Sequence, residues 1–292
     1  MSSGGQLLRG SKLKYAQFQP VAPLAQYVRC FWIMSDDNPA ACAEPEHVVP
    51  DGCMELIVHV GNPFFVRRAG GGFQQSPRSL MAGQITSYLR MCPTGPYWMI
   101  GARFEPHGAR RFFDLPMHEI VDAIIPLSAM IGGQAGSLEA RIGEAPTARK
   151  RLKILEGTLL DRLASAGPGD DRVDHCVNRL IASGGRITID ELCRQTSIGA
   201  RQMERRFRAV VGIPPKLLAR IIRFRRIFEF TETGSPVNWL SAALACGYYD
   251  QAHLIRDFQD LAGRSPTRFL ALDEGIGKCL ARAELPSMRS TS

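Results

Sequence analysis

The chain has 292 residues, of which 45% are hydrophobic and 22% charged, close to the usage of ordinary globular proteins. This composition excludes a wholly disordered chain, and no stretch approaches the run of about 18 apolar residues that a membrane span needs. Lysine and arginine number 36 against 28 acidic residues, so the formal charge is +8, which permits a polyanionic partner without identifying one.

The start of the chain and its cysteines indicate a cytoplasmic protein. The first residues lack the apolar core of a secretory signal. The eight cysteines are too widely spaced for a zinc ribbon or a small disulfide scaffold. We therefore expect separate, reduced thiols and no membrane association.

The N-terminal half has the mixed pattern of an α+β domain. A short helix running into a strand is predicted over 22–34, and a turn followed by a short helix over 106–113. Alternating and β-branched residues predict three further strands, and apolar residues at helical spacing predict a long amphipathic helix. The strands lie at 53–60, 80–84 and 97–104, and the helix lies at 147–165.

Polar and aromatic residues of this half form a speculative effector-binding group. Its members are Trp32, Asp51, Glu55, Trp98 and Arg103. Two structural alternatives stay open: Glu55 and Arg103 form a buried ion pair, and the tryptophans belong to the core. The histidines at 47, 59 and 107 lack the spacing of metal ligands.

We predict no catalytic residue, metal or cofactor. Motifs of serine hydrolases and of nucleotide- or dinucleotide-binding loops are absent. Cysteines are not clustered as zinc ligands, and Cys92 stands alone in this part of the sequence.

A linker is predicted near 165–171, where small and helix-breaking residues cluster. Beyond it, residues 171–270 carry 16 basic and 10 acidic side chains, a net charge of +6. We therefore divide the chain into a sensory or dimerisation domain over 12–165, a basic domain over 172–271, and a disordered tail over 272–292.

The basic domain is predicted to be all α-helical and to contain two similar halves. Each half has a short helix, a turn, a longer helix and a Gly-x-x-Pro sequence, which is the helix-turn-helix arrangement. The longer helices are expected at 200–211 and 250–261. A single connecting helix over 215–230 should hold the two halves at a fixed separation.

The first longer helix has one apolar and one basic face. Met203, Phe207 and Val210 share the inner face, and Arg201, Arg205 and Arg208 share the opposite face. Such a helix fits the major groove of B-DNA, where guanidinium groups bind guanine edges or phosphates. The alternative is an ordinary solvated basic face.

The second longer helix follows the same design. Leu254, Phe258 and Leu261 face inward, while Ala252, Arg256 and Gln259 face outward. Gln251 and His253 lie near its amino end, where recognition helices reach base edges, although His253 could instead serve a structural role. Asp250 is the expected N-cap.

These motifs resemble the DNA-binding domain of AraC/XylS-type bacterial transcription regulators. The resemblance rests on residues 197–207 (SIGARQMERRF), 212–216 (GIPPK), 243–258 (ALACGYYDQAHLIRDF) and 263–266 (GRSP). It implies two recognition helices in successive major-groove segments. The base-reading candidates are Arg201, Gln202 and Arg205 in the first helix, and Gln251, Ala252, His253 and Arg256 in the second.

The N-terminal half resembles an uncharacterised α+β domain that precedes this type of DNA-binding domain in some regulators. The similarity lies at Trp32 and in the stretches 50–53, 101–104 and 106–108. It implies a sensory or dimerisation role without identifying a ligand.

The sequence thus predicts an AraC/XylS-type regulator that is not an enzyme. Its partner is double-stranded DNA, and further candidate partners are RNA polymerase, a small-molecule effector and a second copy of the chain. Arg208, Lys216, Arg220 and Arg264 are candidate phosphate contacts. The rival hypotheses are an enzyme or small-molecule-binding protein that a basic domain tethers to DNA, and a constitutive DNA-binding protein without an effector.

Overall fold

A computed structural model describes residues 5–7, 13–39, 45–68, 71–231 and 237–271 of the chain. The predicted tail over 272–292 lies outside these residues. Within them, no helix has the length and apolar character that crossing a membrane requires.

The N-terminal half is rich in strands and contains more of them than the four predicted. Its described strands are β1 (Gly5–Leu7), β2 (Lys14–Phe18), β3 (Val28–Asp36), β4 (Glu46–Val48), β5 (Glu55–His59), β6 (Phe64–Arg68), β7 (Gln74–Gln75), β8 (Ser79–Ala82), β9 (Leu89–Pro93), β10 (Tyr97–Phe104) and β11 (Ile124–Pro126). They form a seven-stranded sheet in the order β1-β2-β3-β10-β5-β8-β11 and a four-stranded sheet in the order β4-β9-β6-β7.

Helices follow the strands. They are α1 (Leu127–Ile131), α2 (Gln134–Glu144), α3 (Ala148–Ala164), α4 (Asp171–Ala182), α5 (Ile189–Thr196), α6 (Ala200–Val211), α7 (Pro215–Arg226), α8 (Trp239–Ala245), α9 (Gln251–Ala262) and α10 (Pro266–Leu270). Short 3₁₀ turns lie at Ala22–Leu24, Ala109–Arg111, Met117–Ile120 and Ile227–Thr231. The fold class is therefore the predicted one, an α+β half followed by an all-α half.

The larger sheet has a core on each face, because successive side chains of a strand point to opposite sides. On β10, Ile100, Ala102 and Phe104 pack in the cluster that includes Leu138 of α2 and Leu155 of α3. Tyr97 and Met99, on the other side of β10, pack against Phe64 of the smaller sheet. The two sheets thus face each other across a second, smaller core.

Both longer helices of the C-terminal half bury the predicted apolar stripe. Met203 and Phe207 of α6 are fully buried. Val211 takes the third position in this stripe, four residues after Phe207, whereas the predicted Val210 is only half-buried. In α9, Leu254, Phe258 and Leu261 are buried as predicted.

The connecting helix is shorter than predicted. Its α-helical part ends at Arg226, and the chain continues as the 3₁₀ turn Ile227–Thr231. Tighter turns of this kind are common at helix ends. Here the turn places Phe228 among three other aromatic rings, with centroid distances of 5.4–5.9 Å to Phe224, Phe258 and Phe269.

The cysteines differ from the expectation at one described position. Cys92 in β9 is disulfide-bonded, so the prediction of a reduced thiol is wrong for this residue. The described free cysteines are Cys30, Cys53, Cys176, Cys193 and Cys246. Sequence spacing could not reveal the bond, because pairing depends on distances in the fold.

The two halves are in contact at the C-terminal ends of α6 and α9. Each helix is followed by a glycine with positive φ, Gly212 at 93° and Gly263 at 68°. A Cβ at Gly212 would lie 3.1 Å from the side chains of Met54 and Val121. The ring of Tyr88 covers Gly263 so closely that a Cβ there would overlap it.

We predict that Gly263→Ala destabilises the protein by more than about 1 kcal/mol, because alanine is strained at positive φ and its Cβ would displace Tyr88. The free energy of unfolding in urea measures this loss. The matched control is Gly136→Ala in α2, where the Cβ meets nothing within 4 Å and helix propensity favours alanine. Equal stabilities of the two variants would contradict the close contact.

Candidate nucleic-acid interface and ligand cavity

The first candidate reader, meaning a helix proposed to contact DNA bases, is α6. A tight turn connects it to α5. Thr188 caps α5 by accepting a hydrogen bond from the backbone N–H of Glu191. Ser197 then adopts a left-handed conformation with φ 53°, which reverses the chain before α6 begins. The side chains of Arg201, Gln202 and Arg205 are exposed on this helix, so the structure places these three candidates together on one open surface.

The second candidate reader is α9, which follows α8 in the same arrangement. The Asp250 carboxylate accepts the backbone N–H of His253 at 2.7 Å, so the predicted N-cap is confirmed. Gln251, Ala252 and Arg256 are exposed. The half-buried His253 ring packs edge-on against Tyr248, 5.1 Å away, which is a packing role in addition to any contact with DNA.

The candidate phosphate contacts differ in whether their side chains are exposed or already bonded to carboxylates. Lys216 is exposed, and Arg208 is half exposed although it bonds Glu204 at 3.2 Å. Arg220 joins α7 to α9 instead, since it donates to the carboxylates of Asp257, at 2.7 Å, and of Asp260. A phosphate would have to compete with both carboxylates for this guanidinium, so the geometry does not favour Arg220 as a phosphate contact.

Arg264 is also engaged within the protein. Its Nη2 lies 3.4 Å from Nε2 of His47, a residue of the first domain. The guanidinium therefore lies at the contact between the two halves, which does not favour the predicted phosphate role.

A second candidate site is a cavity of about 110 Å³ between the two sheets. Side chains from both sheets line it, and most of them are apolar. The lining includes Trp32, Met34, Val48, Ile57, Phe64, Leu80, Leu89, Met91 and Met99. Four of the five predicted effector residues, Trp32, Asp51, Glu55 and Arg103, also line this cavity.

Trp98, the fifth predicted effector residue, does not line this cavity. It lies five positions before Arg103 on β10, an odd number, and therefore points to the opposite side of the sheet. There it packs with the helical layer, and the guanidinium of Arg151 lies 4.3 Å from its ring.

One corner of the cavity is ionic. Arg103 Nε donates to Glu55 Oε1 at 2.6 Å and lies 3.5 Å from Asp51 Oδ2. Burial raises the pKa of Glu55, Arg103 opposes this shift, and the nearby Asp51 adds to it. The predicted buried pair is present and forms part of the cavity wall, so the structural and functional interpretations are compatible.

An arginine of the connecting helix lies close to this corner. Arg225 of α7 is only 2% exposed. Burial lowers its pKa to about 10, while the carboxylate of Asp51 in the first domain opposes the shift. Our sequence interpretation missed Arg225, although its position four residues after the apolar Ile221 places it on the buried stripe.

The opposite end of β5 brings His59 to the cavity. Its Nε2 lies 3.3 Å from Ser76 Oγ, and burial together with the nearby Arg78 lowers the pKa of its imidazole to about 4. His59 is therefore neutral at physiological pH. Within the described residues, no group of three or more histidine, cysteine, aspartate or glutamate side chains could hold a metal ion.

Family comparisons agree with the two halves of the structure. Residues 16–126 match a domain of unknown function, DUF6597, and residues 192–271 match a family described as a helix-turn-helix domain. The chain therefore carries a helix-turn-helix domain behind a domain of unknown function.

Several solved structures are similar over most of the chain. Wild-type ToxT from Vibrio cholerae strain SCE256, bound to an unsaturated fatty acid, is 11% identical, with coverage of 90% of this chain and 97% of that chain and a TM-score of 0.44. A further crystal form of Vibrio cholerae ToxT is 8% identical, with coverage of 82% and 97% and a TM-score of 0.47. The AraC-like transcriptional activator CuxR is 13% identical, with coverage of 82% and 83% and a TM-score of 0.24.

These identities and TM-scores transfer no ligand or mechanism to this chain. A comparison with curated proteins finds no match.

We predict that His59 makes stability depend on pH. Its pKa is about 4 in the folded protein and about 6.5 when unfolded, so the unfolded state binds more protons between these values. The stabilisation is complete above pH 6.5 and is lost as the pH falls towards 4, by about 3 kcal/mol in total. In His59→Gln, the difference in unfolding free energy between pH 7 and pH 4 should shrink by this amount.

Urea unfolding followed by tryptophan fluorescence measures this difference. The matched control is His175→Gln at an exposed position of α4, which should retain the pH dependence. If His59→Gln retains it as well, the buried, neutral state of His59 is wrong.

Proposed function

We propose that the protein is a sequence-specific DNA-binding transcription regulator whose α6 and α9 read two successive segments of the major groove. The observation that carries this proposal is the exposure of polar side chains on the amino-terminal halves of both helices, while their apolar stripes and C-terminal ends are covered. We place the two working units at residues 12–165 and 172–271.

Base reading is assigned to the exposed polar side chains. Arg201, Gln202 and Arg205 act from α6, and Gln251 and Arg256 act from α9. Arginine binds a guanine edge through two parallel hydrogen bonds, and glutamine does the same with adenine. Ala252 offers only an apolar contact of the kind that suits a thymine methyl group, and His253 contributes from a partly buried position.

Affinity that is independent of sequence comes from Lys216 and Arg208 in this proposal. Lys216 lies in the first turn of α7, directly after the Gly-x-x-Pro sequence that closes the first reader. An exposed ammonium at this place can bind a phosphate and release a condensed counterion.

We further propose that a small molecule in the cavity between the sheets controls the presentation of the readers. The lining is mainly apolar, and the charges at its ionic corner are already paired. A bound molecule of small size and largely apolar character would fit this environment best, since burying an uncompensated charge is costly. No catalytic step is assigned to the cavity. RNA polymerase and a second copy of the chain remain proposed partners.

The function is tested by selecting duplexes from a random-sequence pool with the full-length protein and by mapping bound fragments across the genome. A recurrent two-part sequence at discrete sites supports the proposal. Binding without any sequence preference would overturn it, whatever the role of the cavity. A catalytic rival is favoured instead if turnover of a small molecule survives removal of residues 170–292.

Arg205→Ala and Arg256→Ala are each predicted to cost about 1–3 kcal/mol at the selected sequence, because each removes an exposed guanidinium from a reader without disturbing the core. Electrophoretic mobility shift or fluorescence anisotropy measures the affinity. Arg149→Ala, an exposed arginine of α3, is the matched control and should leave it unchanged. Wild-type affinity in both reader variants would remove the assignment.

Lys216→Ala is predicted to weaken binding to selected and unrelated sequences alike. The slope of log affinity against log salt concentration should become flatter by about one unit, as expected when one phosphate contact is lost. Titrations at several salt concentrations give this slope. An unaltered slope would show that Lys216 touches no phosphate.

A further inference from the structure

The edge of the smaller sheet separates the cavity from the second reader. In the antiparallel pair β4 and β9, Val48 lies opposite Leu89, and His47 lies opposite Arg90. Directly opposite residues of an antiparallel pair point to the same face, and neighbours along a strand point to opposite faces. We call this pair of strands the shared wall.

One face of the shared wall lines the cavity. Val48, Leu89 and Met91 all belong to its apolar lining. A molecule that fills the cavity therefore touches these three side chains from the side of the larger sheet.

The other face of the shared wall holds the C-terminal end of α9. His47 and Tyr88, which we call the clamp pair, stack with ring planes 1° apart and centroids 4.8 Å apart. His47 Nδ1 lies 3.2 Å from the carbonyl oxygen of Ala262, the last residue of α9, and Tyr88 covers Gly263.

The hydrogen bonds at His47 fix its orientation. The Ala262 carbonyl can only accept, so Nδ1 donates to it, and Nε2 is then the atom that accepts from Arg264. A neutral imidazole supplies one donor and one acceptor in this manner. His47 is 4% exposed, so this bridge between the domains is shielded from water.

Among the described residues, the first reader is linked to the cavity less directly. Gly212, directly after α6, faces the side chains of Met54 and Val121 and the backbone oxygen of Met117. None of these three residues is among those that line the cavity. Occupancy of the cavity should therefore act on the two readers unequally.

We infer that a ligand in the cavity shifts the C-terminal end of α9 through the shared wall and its clamp pair, and leaves the end of α6 in place. The wall is a single layer of paired strands, and close-packed structure transmits strain. A ligand that displaces the cavity-facing side chains therefore also displaces the clamp pair on the other face. A ligand has this effect only if it binds the two arrangements with unequal affinity. The inference rests on the proposed function, since it names how the cavity would regulate DNA reading.

The test uses a substitution in place of the unidentified ligand. Ala82→Leu adds apolar volume to the cavity from β8, on the wall opposite the clamp pair. Amide hydrogen exchange is followed in full-length protein for peptides covering residues 259–266 and 208–214. Ala140→Leu, on the exposed face of α2, is the matched control.

We expect Ala82→Leu to change exchange rates in residues 259–266 on the order of fivefold, the lower range of known allosteric couplings, and to leave residues 208–214 unchanged. In the background of His47→Ala with Tyr88→Ala, the same cavity substitution should no longer alter residues 259–266. If Ala82→Leu prevents folding, Leu89→Ala, which removes a cavity-facing side chain of the shared wall, replaces it with the same expected pattern.

Three results would overturn the inference. The first is an unchanged exchange rate in residues 259–266 when the cavity is altered. The second is an equal change at both readers. The third is a change that survives loss of the clamp pair, which would indicate another route, such as Asp51 and Arg225. None of these results depends on DNA, so they are distinct from a failure of the selection experiment.

Discussion

The constraint on which the structure depends is the covering of both reader helices at their C-terminal ends. Each helix closes with a glycine at positive φ, and side chains of the first domain pack directly over that glycine. A residue with a Cβ would be strained at such a position and would also meet its neighbour. Because the C-terminal ends are held in this way, the amino-terminal halves, which carry the exposed arginines and glutamines, remain open. The orientation of the readers is consequently a property of the whole chain.

Local patterns predicted the positions of α6 and α9 well. Apolar residues three and four positions apart, a capping aspartate and the Gly-x-x-Pro sequences are all set within one or two helical turns, so α6 and α9 were placed to within a residue. The connecting helix was predicted too long, because its end depends on how Phe228 meets aromatic rings from α9 and α10. The four-stranded sheet was missed, since its short strands gain their stability from long-range pairing rather than from local preference.

For the cavity, too, residue types could be predicted from the sequence, whereas contacts between distant residues could not. Asp51, Glu55 and Arg103 could be grouped from their residue types, but only the pairing of β5 with β10 brings Glu55 opposite Arg103. The separation of Trp98 from Arg103 could have been predicted, because a strand over 97–104 was already expected and simple alternation puts the two residues on opposite faces. His47 was considered only as a metal ligand. Nothing in its spacing indicates a contact with a helix end more than two hundred residues away.

The two covered helix ends differ in chemistry, and this difference bears on which reader can respond to the first domain. The end of α6 rests on methionine and valine side chains, and such apolar contacts have no preferred direction, so they tolerate small displacements. The end of α9 is held by hydrogen bonds through His47 and by the stacked ring of Tyr88. Hydrogen bonds weaken steeply as angle and distance depart from their optimum, and an unmade bond in a buried place costs more than an exposed one. A small movement of the shared wall therefore changes the contacts at the end of α9 more than those at the end of α6. In the proposed mechanism, α9 is the reader whose position is regulated.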